Sequence, residues 1–239
     1  MVVVPVKEAT RGKTRLADVL EPGARAALVR AMALDTVEAV TRCAAVARVL
    51  VVTGDPVVAA SAGRLPRVGV LAEPPGQVGD TGWAALDRAA AAGVRRARGE
   101  APGAPCAVLL GDLPGLDPAE LAVALAAAAS APAVDGAAAS AGDGSGRAML
   151  ADAEGSGTTL LAVGPGIAFD SRFGAGSAAA HQGLGYRLLD LDLPTLRQDV
   201  DVPADLARVI ERRVGGRTQA LLDRLAPLPI PWSGTGGVS

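Results

Sequence analysis

The sequence predicts a doubly wound α/β fold around a mixed, mostly parallel sheet with helices on both faces. Short β-branched runs recur at 2–5 (VVVP), 46–53 (VARVLVVT), 68–72 (VGVLA) and 106–111 (CAVLLG). Between them lie Ala-rich segments with helical potential, at about 22–42, 56–64, 81–98 and 117–129. Strands alternating with helices of this length build parallel βαβ units. The strands are apolar without interruption, as expected where both faces are covered.

Taken in order, the first strand runs directly into a polar loop, VPVKEATRGKTRL, and the next two strands each alternate with a helical segment. The fourth ends in GDLPGLDPAE, where Asp117, Pro118 and Glu120 read as the N-cap, the first-turn proline and the N3 acid of a capping box. After residue 130 the rhythm changes. AVDGAAAS (133–140), RAMLADAEGSGTTLLAVG (147–164) and YRLLDLDL (186–193) are strand-like, and the glycines within the second punctuate it as a hairpin, so the sheet is mixed. Helices at about 203–213 and 216–225 close the fold, and PLPIPWSGTGG from 227 reads as a loosely held tail. With no repeat and no dividing linker, residues 1–226 are expected to form a single domain and 227–239 a flexible tail. The Ala runs at 126–129 and 137–139 reflect compositional bias.

Composition narrows the function. Half the chain is hydrophobic, enough for a full core, but only 2% is aromatic, which argues against base-stacking recognition of single-stranded nucleic acid. A formal net charge of −2 removes the electrostatic footprint of a duplex binder, so a small substrate is expected and no nucleic acid. Cys43 and Cys106 form no CxxC pair, and Cys106 in its apolar strand reads as a core thiol. The apolar run at the N-terminus is too short for a signal peptide and no stretch approaches the ~18 apolar residues of a membrane span, so a cytoplasmic protein without membrane contact is expected.

In open α/β sheets, ligands bind beyond the carboxyl ends of the strands. The loop after the first strand holds Lys7, Arg11, Lys13 and Arg15 in nine residues, suited to a polyphosphate or to a solvated surface. Its RGKT is the tail of a Walker A loop without the required first glycine, since position 7 is Lys. Asp112, at the tip of the fourth strand, has no capping role and suits Mg²⁺, which takes one or two carboxylates plus substrate phosphates. In RQDVDVPADL an extended chain sends Asp199 and Asp201 to the same side; Asp201 has a second reading as the cap of the following helix, with Pro203 in its first turn. EGSGTTLLAV enters a strand through glycines at Thr158 and Thr159, and FGAGSAAAHQGLG is a Gly-Ser turn opening a short helix, suited to a small phosphorylated acid. His181 stands one helical turn after Ser177 and reads as a surface helix residue before a catalytic one.

In order and spacing, VPVKEATRGKTRL, LLGDLPGL, GSGTTLL, FGAGS…H and DVDVPADL together resemble the 2-phospho-L-lactate or phosphoenolpyruvate guanylyltransferase family of deazaflavin coenzyme F(420) biosynthesis, over roughly residues 2–212. The resemblance implies a Rossmann-like nucleotidyltransferase fold of the GT-A-like, nucleotide-diphospho-sugar transferase kind. It implies that GTP and a three-carbon phosphoacid give a diphosphate-linked guanosine product and pyrophosphate. It makes Asp112 and Asp199 the Mg²⁺ ligands, Thr159, Gly174 and Ser177 the contacts to the phosphoacid, and Lys13 the group facing the triphosphate; Lys7 and Arg15 are expected to help Lys13 offset charge on the departing pyrophosphate. Three places depart from the family: GTT stands for Gly-Thr-Asn, GSAAAH lacks a phenylalanine after the serine, and GDTGWAAL at 79–86 stands where Gly-Leu-Asn precedes the Ala-Leu helix.

A phosphate monoester is largely dianionic at neutral pH, so attack on an α-phosphorus needs no histidine or cysteine to create a nucleophile. Positioning and charge neutralisation are enough. Other readings are transfer to a sugar phosphate or the molybdenum cofactor, a glycosyltransferase using one of the Asp-x-Asp tripeptides, and a nucleotide-binding module without turnover. The choice among phosphoenolpyruvate, 2-phospho-L-lactate and 3-phosphoglycerate is not written in these residues, although the Ala-, Arg- and Gly-rich composition, as expected of a GC-rich bacterial genome, leans to phosphoenolpyruvate by family analogy. Oligomeric state, a homodimer included, is open.

Overall fold

The computed structural model describes residues 1–11, 13–76, 81–130 and 146–225. Seven strands, β1 (Val2–Val6), β2 (Val49–Thr53), β3 (Val68–Ala72), β4 (Cys106–Leu109), β5 (Arg147–Ala151), β6 (Thr158–Val163) and β7 (Arg187–Leu188), form a sheet in the order β3, β2, β1, β4, β6, β5, β7. β6 is antiparallel to both its neighbours, and every other pairing is parallel. Among the described residues the α-helices are α1 (Pro22–Arg42), α2 (Pro56–Ala62), α3 (Gly82–Glu100), α4 (Pro118–Ala129), α5 (Ser177–Gly183), α6 (Pro194–Arg197), α7 (Pro203–Arg212) and α8 (Gly216–Leu225).

The unbroken apolar strands are explained by cores on both faces. Val2, Val4 and Val6 of β1, with Val49 and Val51 of β2, pack with α1 and α4, whereas Val3, Leu50 and Val52 pack with α3. On that second face α3 approaches β1 so closely that a Cβ on Gly93 would lie 2.3 Å from Val3 Cγ1. A third cluster joins Leu16 and Leu20 to Leu28 and Met32 of α1, to Val200, and to α7 and α8. It seats the C-terminal helices beside the loop that follows β1.

Three local expectations are corrected. Of the strand expected over 186–193 only Arg187–Leu188 pairs, against β5, before Pro194 opens α6. β4 ends at Leu109, although the Leu110 amide still donates to the Thr159 carbonyl. Asp117 caps α4 by accepting from Ala119 N at 2.8 Å, but Glu120 does not close a capping box. Its Oε2 instead accepts from Thr195 N and Leu196 N, at 2.8 and 3.0 Å, satisfying amides that α6 leaves open. The strand expected at 133–140 and the tail from 227 lie outside the described residues.

The cap of α8 comes from another helix. Buried Asp35 on α1 accepts from Arg217 N at 3.0 Å and Thr218 N at 2.7 Å. Asp35→Ala leaves both donors without their acceptor and is expected to cost about 1–2 kcal/mol. The check is the urea midpoint, which should fall with no change in denaturant slope; an unmoved midpoint would show that the cap contributes nothing.

Candidate active site

β1 and β4 are adjacent, and the chain leaves them toward opposite edges of the sheet, so a crevice opens beyond their carboxyl ends. A cavity of about 370 Å³ occupies it, lined by Lys7, Lys13 and Arg15 from the loop after β1, by Asp112, by Asp199 and Asp201, and by Trp83. Local packing places each of them. The hydroxyl of Thr36, buried on α1, accepts from Leu113 N at 3.1 Å and lies 3.4 Å from the Gly111 carbonyl, so it grips the chain on both sides of Asp112. Val200 donates its amide to the Asp112 carbonyl at 3.2 Å and buries its side chain in the third cluster. Asp199 and Asp201 therefore turn the other way, into the cavity.

The basic loop is tied down by Asp55, which no chemical motif in the sequence marked. Its carboxylate caps α2 through Val57 N and Val58 N, pairs with Arg30 at 2.9 Å, and accepts from Ala9 N at 3.2 Å. The Asp-Pro step before α2 matches Asp117-Pro118 before α4 and was the available signal. Thr36, in mid-helix, offered none. Lys13 adopts the left-handed backbone region, with φ of 51°. Its ammonium makes ion pairs with Asp112 and Asp201.

The result is a concentrated negative site with incomplete compensation. One oxygen each from Asp112, Asp199 and Asp201 lie within 4.8 Å of one another. Burial, then the charges of Asp112, Asp201 and Asp152, push Asp199 up to about 8 against the opposing effect of Lys13. Burial also works to raise Asp201, but contact with Lys13 holds it below the usual carboxylate range. Burial works to lower Lys13, and Asp112 and Asp201 together raise it. Lys7 is lowered, chiefly by burial. Asp112 Oδ1 is buried without a hydrogen-bond partner. An orphaned oxygen on Asp112, in a cluster with two further carboxyl groups, belongs to a donor set that suits a hard divalent cation. Asp201 does not cap α7: the N-cap is Val202, and Asp205 Oδ2 accepts from Asp201 N and Val202 N at 3.0 and 2.9 Å.

None of Thr159, Gly174 and Ser177 lines the cavity; the structure joins Ser177 to Gly174 and to Thr158, and not to Thr159. The Ser177 amide donates to the Gly174 carbonyl, and its buried hydroxyl donates to Thr158 Oγ1 at 3.3 Å. Thr159 Oγ1 is buried without a partner. Gly174 reaches the cavity wall, because a Cβ there would lie 3.3 Å from Cγ of Trp83, and its φ of 139° favours glycine.

His181 is fully buried, not on the surface as its helix position suggested. The seven-residue α5 turns it between Phe173 and Tyr186, at ring-centroid distances of 5.1 and 5.8 Å. Its Nε2 accepts from Arg172 N at 2.9 Å, so in the neutral ring the proton sits on Nδ1, 2.9 Å from Thr158 Oγ1. Burial lowers its pKa to about 4. Between about pH 4 and 6.5 the unfolded chain therefore takes up a proton that the native protein refuses, and this contribution to stability is lost as pH falls through that window. His181→Gln is expected to lose less stability than the parent between pH 6.5 and 4.5 in urea titrations; equal losses would contradict the assignment.

A Desulfovibrio desulfuricans protein assigned to the nucleotide-diphospho-sugar transferases superposes with a TM-score of 0.62 at 16% identity, covering 95% of this chain and 94% of its own. A nucleotidyl transferase from Methanothermobacter gives 0.51 at 18% identity, covering 94% of this chain and 99% of its own. The sheet order and these two likenesses define the fold class, an α/β fold of the kind seen in nucleotide-diphospho-sugar transferases. The model of the CofC-like guanylyl transferase family matches residues 1–226. A phosphoenolpyruvate guanylyltransferase of Thermomonospora curvata is 44% identical over 93% of this chain and 88% of its own. One from Streptomyces coelicolor is 43% identical over 93% and 95%. The chain belongs to the CofC-like guanylyl transferase family.

Proposed function

We propose that this enzyme transfers GMP from GTP to a three-carbon phosphoacid, phosphoenolpyruvate in preference to 2-phospho-L-lactate, releasing pyrophosphate in deazaflavin coenzyme F(420) biosynthesis. The observation that carries the reading is the convergence of Lys13 with Asp112, Asp199 and Asp201 at the switch point of the sheet. The preference for phosphoenolpyruvate rests on the relatives that carry its name.

In the reaction an oxygen of the acceptor's phosphate attacks the α-phosphorus of GTP. A new phosphorus–oxygen bond forms as the bond to the β-phosphate bridging oxygen breaks, and pyrophosphate departs with that oxygen. Lys13, with Lys7 and Arg15 on the same wall, offsets the charge on the departing group. Thr159 and the Gly174–Ser177 turn receive the phosphoacid; the unpartnered Thr159 hydroxyl and the closeness of Gly174 to the cavity wall support that placement. Asp112 and Asp199 are the residues that would hold Mg²⁺, with Asp201 beside them. When bound, the cation neutralises phosphate charge and favours in-line displacement.

The test is pyrophosphate release, with mass spectrometry of the nucleotide product, from GTP, Mg²⁺ and each of phosphoenolpyruvate, 2-phospho-L-lactate and 3-phosphoglycerate in turn. A guanosine diphosphate-linked phosphoenolpyruvate product, absent with ATP or CTP, is expected. No product from any of the three acids would overturn the assignment.

A further inference from the structure

Trp83 and Asp87 stand four residues apart on α3 and so share one face of that helix. Both meet the loop that leads into α5. Asp87 Oδ1 accepts from the Ser171 hydroxyl at 2.7 Å and from Phe173 N at 3.0 Å. One turn earlier, the Trp83 indole lies against Gly174, where a Cβ would approach Cγ to 3.3 Å and Cδ1 to 3.4 Å. The same ring carries the Lys7 ammonium 4.5 Å from its centroid. Trp83 is 47% exposed, so burial of the ring does not explain its place. Its contacts join the basic loop after β1 to the turn before α5.

We propose that Trp83 and Asp87 are positioning residues: through them α3 sets the Gly174–Ser177 turn at a fixed separation from Lys7, holding the two substrate halves of the site in register. The assignment of those halves to phosphoacid and triphosphate rests on the function proposed above; the bridge itself rests on the contacts of α3. In-line displacement tolerates little misalignment, and a misplacement of about 1 Å can cost on the order of 10²-fold in rate. A ring in contact with both a cation and a glycine, with a carboxylate holding the same loop one turn away, restricts that misplacement.

The experiment combines steady-state kinetics with a measurement that needs no substrate. Trp83→Leu is expected to lower kcat/KM for the phosphoacid by on the order of 10²-fold. Trp83→Phe, which keeps a ring for Lys7 and Gly174, is expected to stay within about threefold of the parent. Trp83→Leu should also raise KM for the nucleotide, and that increment should shrink in a Lys7→Met background, because the contact is already gone. Equal damage from Leu and Phe, or nucleotide effects that multiply in full, would overturn the proposal.

The protein has two tryptophans, so a Trp232→Phe background leaves Trp83 as the sole tryptophan, excited selectively at the red edge where tyrosine does not absorb. There Asp87→Ala is expected to release the Ser171–Phe173 loop and make Trp83 emission more readily quenched by acrylamide. Ser171→Ala, which removes one of the two bonds from the loop side, should give a smaller rise and serves if Asp87→Ala fails to fold. Unchanged quenching in the folded variants would overturn the bridge. Increased quenching in an enzyme whose parent forms no guanylylated product would leave the bridge standing and remove the proposed function.

Discussion

A Lys13→Met enzyme is expected to lose turnover by on the order of 10²- to 10³-fold, and to lose stability in a way that acid reverses. Lys13 is the cation in contact with Asp112 and Asp201, and its side chain is only 13% exposed. Without it, the carboxyl groups of Asp112, Asp199 and Asp201, with oxygens inside 4.8 Å of one another, lose the ammonium that contacts two of them. Removing one partner of a fully buried pair costs about 3–5 kcal/mol; here Asp201 is half-exposed and water-screened, so about 2–3 kcal/mol is expected. Repulsion raises the folded-state pKa of the remaining acids, so the native state binds protons that the unfolded chain does not, and the deficit grows as pH rises. Urea titrations at pH 5 and 8.5 should show parent and variant closer together at the lower pH. An equal gap at both, or turnover within a few-fold of the parent, would show that Lys13 does not carry the site's charge balance.

Asp112→Asn is expected to lower turnover by on the order of 10²-fold or more while leaving the fold intact. The fold loses little because Oδ1 has no partner to lose and Lys13 keeps Asp201. The site loses a charge at the one carboxylate that stands at the tip of β4. Asp199, held up to about 8 by burial and then by Asp112, should titrate lower in this variant. The same coupling predicts the pH behaviour of the parent. Asp199 is protonated when folded and ionised when unfolded between about pH 4 and 8, so its contribution to metal-free stability is present at low pH and lost as pH rises through 8. Mg²⁺ binding should therefore displace about one proton near pH 7, and Asp199→Asn should abolish that release. Calorimetry in buffers of different ionisation enthalpy reads the number directly; no release from the parent would remove Asp199 from the proposed metal site.

Much of the fold and of this site was legible in the chain because it depends on short-range geometry. β-branched runs separated by helical segments determine a parallel core, and continuous apolar strands determine that both its faces are covered. The Asp-Val-Asp spacing determines that Asp199 and Asp201 share a side, since extended residues alternate. The absence of any capping role for Asp112 marked it in the same way.

Other features were settled only by packing. The Val200 amide meets the Asp112 carbonyl across almost ninety residues, and that bond, with Val200 buried behind it, decides that the shared side of Asp199 and Asp201 faces Lys13. The burial of His181, the turn of Glu120 toward α6 and the meeting of Trp83 with Gly174 depend in the same way on partners distant in sequence. Periodicity and capping are properties of a few consecutive residues and can be read from them. Which face of a short helix or loop is buried depends on what the closed chain brings against it, and α5, with seven residues, is too short for its own pattern to decide.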